Sequence, residues 1–145
     1  METVREILQH KGSEVWAIPP EATVHDALIE MAEKNVGALL VIEDSGRLRG
    51  IFTERDYARH VVDKGDNVGA IPVSEVMTEQ VRGIAPERTV EECMAIMTEN
   101  RNRHLPVFED GELCGIISIG DVVKAVIHEK DFVIDQLEHY IAGSL

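Results

Sequence analysis

A hydroxyl and a carboxylate stand three residues apart at two places in the chain, at Thr53 and Asp56 and again at Ser118 and Asp121. Both pairs lie where a predicted strand passes into a predicted helix, beside backbone amides that have no partner within the helix. One interpretation is a capping box, in which these side chains only satisfy the amides. The other is a nucleoside site, in which the carboxylate accepts hydrogen bonds from both ribose hydroxyls and the amides and hydroxyl face phosphate.

Two further pairs, Thr23 with Asp26 and Thr89 with Glu92, have the same spacing at the start of predicted helices. We interpret both as capping boxes with no other task. Asp is a poorer third-position partner than Glu, which favours a ligand role at 53 and 118 without excluding capping there.

No arrangement typical of catalysis or metal binding is found in the sequence. It lacks a phosphate-binding loop with its lysine, a dinucleotide fingerprint, a nucleophile elbow and a zinc motif. The six histidines show no paired metal spacing, so we predict no metal. An enzymatic alternative remains, a nucleotide hydrolase or transferase that uses Asp56 or Asp121 as its base.

The charge balance limits the partners. The 145 residues contain 14 Lys and Arg against 27 Asp and Glu, a net charge of −13 that repels nucleic acid and anionic membranes. Cys93 and Cys114 lack the spacing of a zinc site or a disulfide scaffold, which fits a reducing compartment. Residues 1–9 have no signal-peptide pattern, so we expect a cytoplasmic protein.

The chain repeats itself with an offset of 66 residues, which becomes 65 after Ser45. Each half predicts the order strand, helix, strand, strand, helix, so the fold class is α/β (α+β) with two tandem βαββα repeats. We expect the repeats to pack with pseudo-twofold symmetry. Predicted domain boundaries are 3–70, 71–130 and, for an added C-terminal helix stopped by Gly143, 131–145. In the second half the predicted elements are strands at 81–84, 105–108 and 113–118 and helices at 89–101 and 119–130, while the first half opens with a strand at 15–18.

The motifs of this duplicated unit resemble those of cystathionine β-synthase (CBS) domains, and the chain from about 3 to 130 resembles a free-standing CBS pair. The resemblance rests on the Gly-x-x-Thr/Ser-x-x-Asp strings at 50–56 and 115–121, on the His-Leu-Pro-Val strand at 104–107 and on Val-Met-Thr at 76–78.

This resemblance implies regulation rather than catalysis. The ligands that it implies are adenosine compounds held in clefts between the repeats, with AMP as the leading candidate and ADP, ATP, NADH or S-adenosylmethionine as alternatives. It also implies a homodimer and a protein effector regulated in trans. A structural alternative is a ligand-free dimerisation scaffold that associates through the helix at 132–141.

Residue roles follow from the resemblance by position. Asp56 and Asp121 are expected to bind ribose. The residues expected near sugar or phosphate are Thr53, Ser118, Arg55, Arg101, Arg103 and His104. Those expected against adenine, largely through their main chain, are Ile18, Val36, Ala38 and Leu39 in one cleft and Ile84, Leu105 and Pro106 in the other.

The two clefts are expected to differ, because the second carries Arg101, Arg103 and His104 and should prefer the charged nucleotide. Arg55 and Arg59 could add to either cleft or belong to a solvated face.

Overall fold

The computed structural model describes residues 2–142, which divide into two compact units. The first-repeat unit is Val15–Val81. The second-repeat unit joins residues 2–14 to residues 82–142. The segment that opens each sequence half therefore packs with the elements of the other half.

The elements follow the predicted order in the first-repeat unit, and the second-repeat unit follows it except for the predicted first strand. The first-repeat unit contains β1 (Ala17–Ile18), α2 (Val24–Lys34), β2 (Ala38–Ile42), β3 (Leu48–Thr53), α3 (Glu54–Lys64) and two short 3-10 turns at Gly65–Ala70 and Val73–Glu75. The second-repeat unit contains α1 (Val4–Lys11), α4 (Val90–Asn100), β4 (His104–Glu109), β5 (Glu112–Ser118) and α5 (Ile119–Ala142).

Backbone hydrogen bonds attach each opening segment to its unit. The amide of Val4, at the start of α1, donates to the carbonyl of Arg88 at 2.9 Å. In the first-repeat unit the amide of Val24 donates to the carbonyl of Ile71, also at 2.9 Å. These contacts join segments that are far apart in sequence.

Helices α2 and α4 begin with the predicted capping boxes. The Thr23 hydroxyl accepts from the amide of Asp26 while the Asp26 carboxylate accepts from the amide of Thr23, and Thr89 and Glu92 do the same. Each reciprocal pair satisfies two helix amides, which fixes where the helix starts.

The sheets have matching registers. β1 runs parallel to β2, and β2 pairs antiparallel with β3, with Val41 opposite Gly50. β4 pairs antiparallel with β5, with Val107 opposite Gly115. Both hairpins carry an irregularity directly after these valines, so the duplication extends to the detail of the strand pairing.

The predicted strand at 81–84 is wrong, and Pro106 supplies the reason. In the first-repeat unit the amide of Leu40 donates to the carbonyl of Trp16 and extends the parallel pairing. Pro106 occupies the position of Leu40 in the second repeat and has no N–H to donate. Only a parallel bridge between Ile84 and Val107 forms there.

Each unit has its own hydrophobic core. The core of the first-repeat unit consists of Ile18, Val24, Ala27, Met31, Leu39, Val41, Phe52, Val68, Val73, Val76 and Met77. The core of the second-repeat unit consists of Val4, Ile7, Ile84, Val90, Cys93, Met97, Leu105, Val107, Ile117, Val122 and Ala125. Cys93 and Cys114 are free, and Cys93 packs in this core as a small apolar residue.

Helix α5 differs from the prediction of two successive helices, because Ile119–Ala142 is one continuous helix of 24 residues. No helix-breaking residue lies between Val122 and Ala142, and only the first half of α5 contributes buried residues. The predicted stop at Gly143 lies outside the described residues. Among the helices of residues 2–142, none has the length and apolar character needed to cross a bilayer.

Candidate functional site

Asp56 lies in the first turn of α3 with its carboxylate enclosed, and the residue is 6% exposed. Its Oδ2 accepts hydrogen bonds from the Thr53 amide at 3.0 Å and the Thr53 hydroxyl at 3.1 Å. Its Oδ1 accepts from the hydroxyl of Thr78 at 3.0 Å. Capping is therefore one task of this carboxylate, and a ribose hydroxyl would have to replace one of these donors.

A glycine places Thr78 beside Asp56. Thr78 and Ile51 exchange backbone hydrogen bonds of 2.9 and 3.0 Å, which hold the segment against β3. A β-carbon at Gly50 would lie only 2.5 Å from the Thr78 carbonyl oxygen, so this close approach requires glycine.

Asp121 holds the equivalent position at the start of α5, but its surroundings are more open and more charged. Its side chain is 16% exposed. Its Oδ2 accepts from the Ser118 amide at 2.8 Å and from the ammonium of Lys11 at 2.7 Å. Within residues 2–142 no hydrogen bond reaches Oδ1, which leaves one carboxylate oxygen available for a ligand.

The pKa of Asp121 reflects these contacts. Burial acts to raise the pKa, but the hydrogen bonds from Lys11 and Ser118 outweigh it and hold the pKa below its ordinary value. The carboxylate is therefore ionised at neutral pH, the form that accepts hydrogen bonds from hydroxyls.

His104 lies in the electrostatic field of the same group. Burial lowers the pKa of its imidazole, the charges of Lys11 and Arg103 act in the same direction, and Asp121 opposes them. The imidazole is thus neutral at pH 7, with one nitrogen a donor and the other an acceptor. The structure brings together Lys11, Arg103, His104 and Asp121 within one unit.

The other predicted arginines stand in different settings. Arg101 ends α4 as a left-handed cap with φ 53°, so its backbone has a structural task while its side chain is exposed. Arg55 and Arg59 are exposed on α3.

The residues expected against adenine are mostly buried. Ile18, Leu39, Ile84 and Leu105 belong to the two cores, Ala38 and Pro106 are buried, and Val36 is partly buried. Core side chains are not free to contact a ligand, so contact at these positions would come from the main chain.

Two residues beside the carboxylates escaped the sequence analysis as site residues, Lys11 and Thr78. The repeat pairs Leu8 with Met77, and both contact the hairpin glycine of the unit they pack with, Gly115 for Leu8 and Gly50 for Met77. That correspondence could have indicated that the residues just after Leu8 and Met77 approach Asp121 and Asp56.

Metal-ligating side chains are not clustered. Nowhere in the described part of the chain do three or more His, Cys, Asp or Glu side chains stand together so as to hold a metal ion.

The duplicated hairpin-to-helix corner, with its hydroxyl and carboxylate, defines a tandem pair of CBS domains. The chain belongs to the CBS domain family, whose model matches residues 4–63 and 73–128.

Similar proteins agree with this assignment. CBS domain-containing protein CBSX3, mitochondrial, from Arabidopsis thaliana is 39% identical over 97% of this chain and 72% of its own length. The crystal structure of the CBS-domain containing protein ATU1752 from Agrobacterium tumefaciens matches with a TM-score of 0.84 and 40% identity over 85% of this chain and 92% of that one. CBSX2, solved in complex with AMP, matches with a TM-score of 0.68 and 27% identity over 90% of this chain and 99% of that one.

Proposed function

We propose that this CBS-domain pair is a regulatory module that binds an adenine nucleotide, AMP first among the candidates, with the ribose hydroxyls on Asp121. The observation that carries the proposal is the Asp121 carboxylate at the N-terminus of α5, which is ionised and partly exposed and whose Oδ1 accepts no hydrogen bond from residues 2–142. A vicinal diol can donate to such a carboxylate, and the helix N-terminus favours a nearby phosphate.

The charges around Asp121 support a nucleotide over a nucleoside. Lys11 lies at 2.7 Å from the carboxylate, and Arg103 is exposed beside His104. Cations of this kind attract a phosphate group through charge-assisted hydrogen bonds. The second repeat is accordingly our proposed site for the charged ligand.

Asp56 is proposed as the weaker ribose site. Both oxygens of the Asp56 carboxylate already accept hydrogen bonds from protein groups, and the residue is nearly enclosed. A ribose there has to displace the Thr78 hydroxyl, which costs one hydrogen bond to a charged group.

The AMP complex of CBSX2 supports the ligand class, because that protein shares this fold over almost its whole length. ADP, ATP, NADH and S-adenosylmethionine carry the same adenosine, and a binding comparison separates them. We propose regulation of a separate protein effector in the cytoplasm rather than catalysis.

Replacing one carboxylate tests the proposal. Asp121→Asn keeps the shape of the side chain but removes the charge, and we expect AMP affinity measured by isothermal titration calorimetry to fall about 10- to 100-fold. Asp26→Asn, which alters a capping carboxylate of the same geometry in α2, is the matched control and should leave AMP affinity unchanged. Equal affinities of the two variants for AMP would contradict the ribose role of Asp121.

We also propose that the module is a homodimer that pairs through α5. Six apolar residues on one side of this helix are 39 to 65% exposed: Ile119, Val123, Ile127, Ile134, Leu137 and Ile141. Two copies of α5 placed antiparallel about residue 130 set Ile119 opposite Ile141 and Val123 opposite Leu137.

A charge placed among the six exposed apolar residues of α5 tests the proposed dimer. Leu137→Glu should give a monomer in light scattering at micromolar concentration, while the unmodified protein stays dimeric. Val62→Glu, at an apolar position of α3 that is 83% exposed, is the control and should stay dimeric. A monomeric unmodified protein, or a dimeric Leu137→Glu variant, would overturn this interface.

A further inference from the structure

A cavity of about 230 Å³ lies between α1 and α5 in the second-repeat unit. Basic side chains from both helices line it: His10 and Lys11 from α1, and Lys124 and His128 from α5. Asp121 and Glu2 are its acidic lining residues. Such a concentration of basic groups is unusual in a chain with a net charge of −13.

The spacing on α5 places three of the lining side chains on the same side of that helix. Asp121, Lys124 and His128 follow each other at intervals of three and four residues, which places them on one face of the helix. Lys124 has no ion-pair partner within residues 2–142, so its charge is available to a ligand.

Lys11 is held in a defined position at the wall of this cavity. Its ammonium donates to the Ile116 carbonyl at 2.8 Å and to Asp121 at 2.7 Å. An ammonium has three donors, so one N–H of Lys11 remains for a further acceptor. A fixed donor loses less conformational entropy on binding than a free lysine does.

The volume limits the size of the ligand. Pockets for drug-sized molecules measure about 300–1,000 Å³, so this cavity suits a small anion or one group of a larger molecule. A phosphate group offers several strong acceptors to lysine and imidazole donors at once.

We propose that the cavity between α1 and α5 binds a phosphate group through Lys11 and Lys124. The group is either free phosphate or the phosphate of a nucleotide, and only the second case rests on the proposed function. The lysines and histidines supply the donors, and the Lys11 to Asp121 ion pair places this site beside the proposed ribose carboxylate.

Phosphorus NMR or calorimetry with inorganic phosphate, at low ionic strength in a chloride-free buffer, tests this site. We expect saturable binding that Lys124→Gln weakens about 5- to 10-fold, as expected for loss of a charge-assisted contact. Lys64→Gln removes the same charge from the exposed end of α3 and should leave phosphate affinity unchanged. No saturable binding, or equal weakening by both variants, would overturn the site.

Comparison of AMP with adenosine separates the two sources of phosphate. If the phosphate of AMP occupies the cavity, Lys124→Gln lowers AMP affinity but not adenosine affinity. If free phosphate is the ligand, the ratio of AMP to adenosine affinity stays constant while phosphate binding weakens. The two proposals also fail separately: adenosine affinity that Asp121→Asn leaves unchanged would contradict the ribose role, whereas phosphate affinity that Lys124→Gln leaves unchanged would contradict this cavity.

Discussion

Asp56 and Asp121 occupy equivalent positions in the two repeats, yet different residues reach their carboxylates. Thr78, a neutral donor, closes the first, and Lys11, a cation, pairs with the second. Neither contact follows from helix capping alone, because both donors come from a segment distant in sequence. The same motif can thus have a mainly structural role in one repeat and remain available to a ligand in the other.

Removing the Thr78 hydroxyl should destabilise the first-repeat unit. Thr78→Val keeps the side-chain shape but leaves Oδ1 of a buried carboxylate without a donor, which costs about 1–3 kcal/mol. Urea unfolding measures this loss. Thr98→Val, at an exposed position on α4, is the control and should change stability by less than about 0.5 kcal/mol. Equal effects of the two substitutions would contradict the role of this hydrogen bond.

His104 should make stability depend on pH. Because burial lowers the pKa of its imidazole in the folded state, the unfolded chain takes up the proton first as the pH falls below about 6.5. The contribution of neutral His104 is complete above that value and is lost progressively below it.

Urea midpoints at about pH 7.5 and about pH 5.5 check this pH dependence. The His104→Gln variant should lose less stability over this interval than the unmodified protein. Identical losses in the two proteins would show that the imidazole is not held neutral by its surroundings.

At the scale of the elements, the fold depends on segments exchanged between the two halves of the sequence. Helix α1 contacts β5 where Leu8 meets Gly115, and the Met77 segment contacts β3 at Gly50. A β-carbon would lie 2.5 Å from an atom of the incoming segment at Gly50 and 2.8 Å from one at Gly115. The two neighbouring atoms differ in how easily they can move. The β-carbon at Gly50 would meet the backbone oxygen of Thr78, whereas the one at Gly115 would meet the end of the Leu8 side chain.

This difference predicts unequal costs of substitution. Gly50→Ala should destabilise by about 3 kcal/mol because the Thr78 backbone cannot move without breaking its bridge, whereas Gly115→Ala should cost about 1 kcal/mol because Leu8 can change rotamer. Urea unfolding of the two variants gives the comparison. A larger loss for Gly115→Ala would contradict this account of the packing.

Much of the element order was predictable from local patterns. The capping threonines and the apolar run at Ala38–Ile42 marked α2, α4 and β2. The features that the sequence did not predict depend on partners distant in the chain. Pro106 has no amide N–H to pair with a strand at 81–84. Lys11 and Thr78 contact the carboxylates from the exchanged segments. The continuity of α5 was missed because its second half has no core partner to set a boundary.

For the molecule as a whole, the net charge of −13 sets a general field that opposes anionic ligands. Binding of a nucleotide therefore needs local cations, and the second-repeat unit supplies them around Asp121. The inequality of the two repeats predicts a strong and a weak site rather than two equal ones.

A thermal-shift panel on the unmodified protein, stripped of any bound nucleotide, tests the central claim most directly. The panel compares AMP, ADP, ATP, NADH, S-adenosylmethionine and adenosine with CMP, which shares the ribose and phosphate but not the base. A ligand at 100 times its dissociation constant adds about 2.7 kcal/mol, or roughly 5 to 10 °C in melting temperature. We predict such a shift with AMP or another adenine nucleotide and little with CMP, whereas a flat panel, or equal shifts from AMP and CMP, would contradict adenine-nucleotide binding.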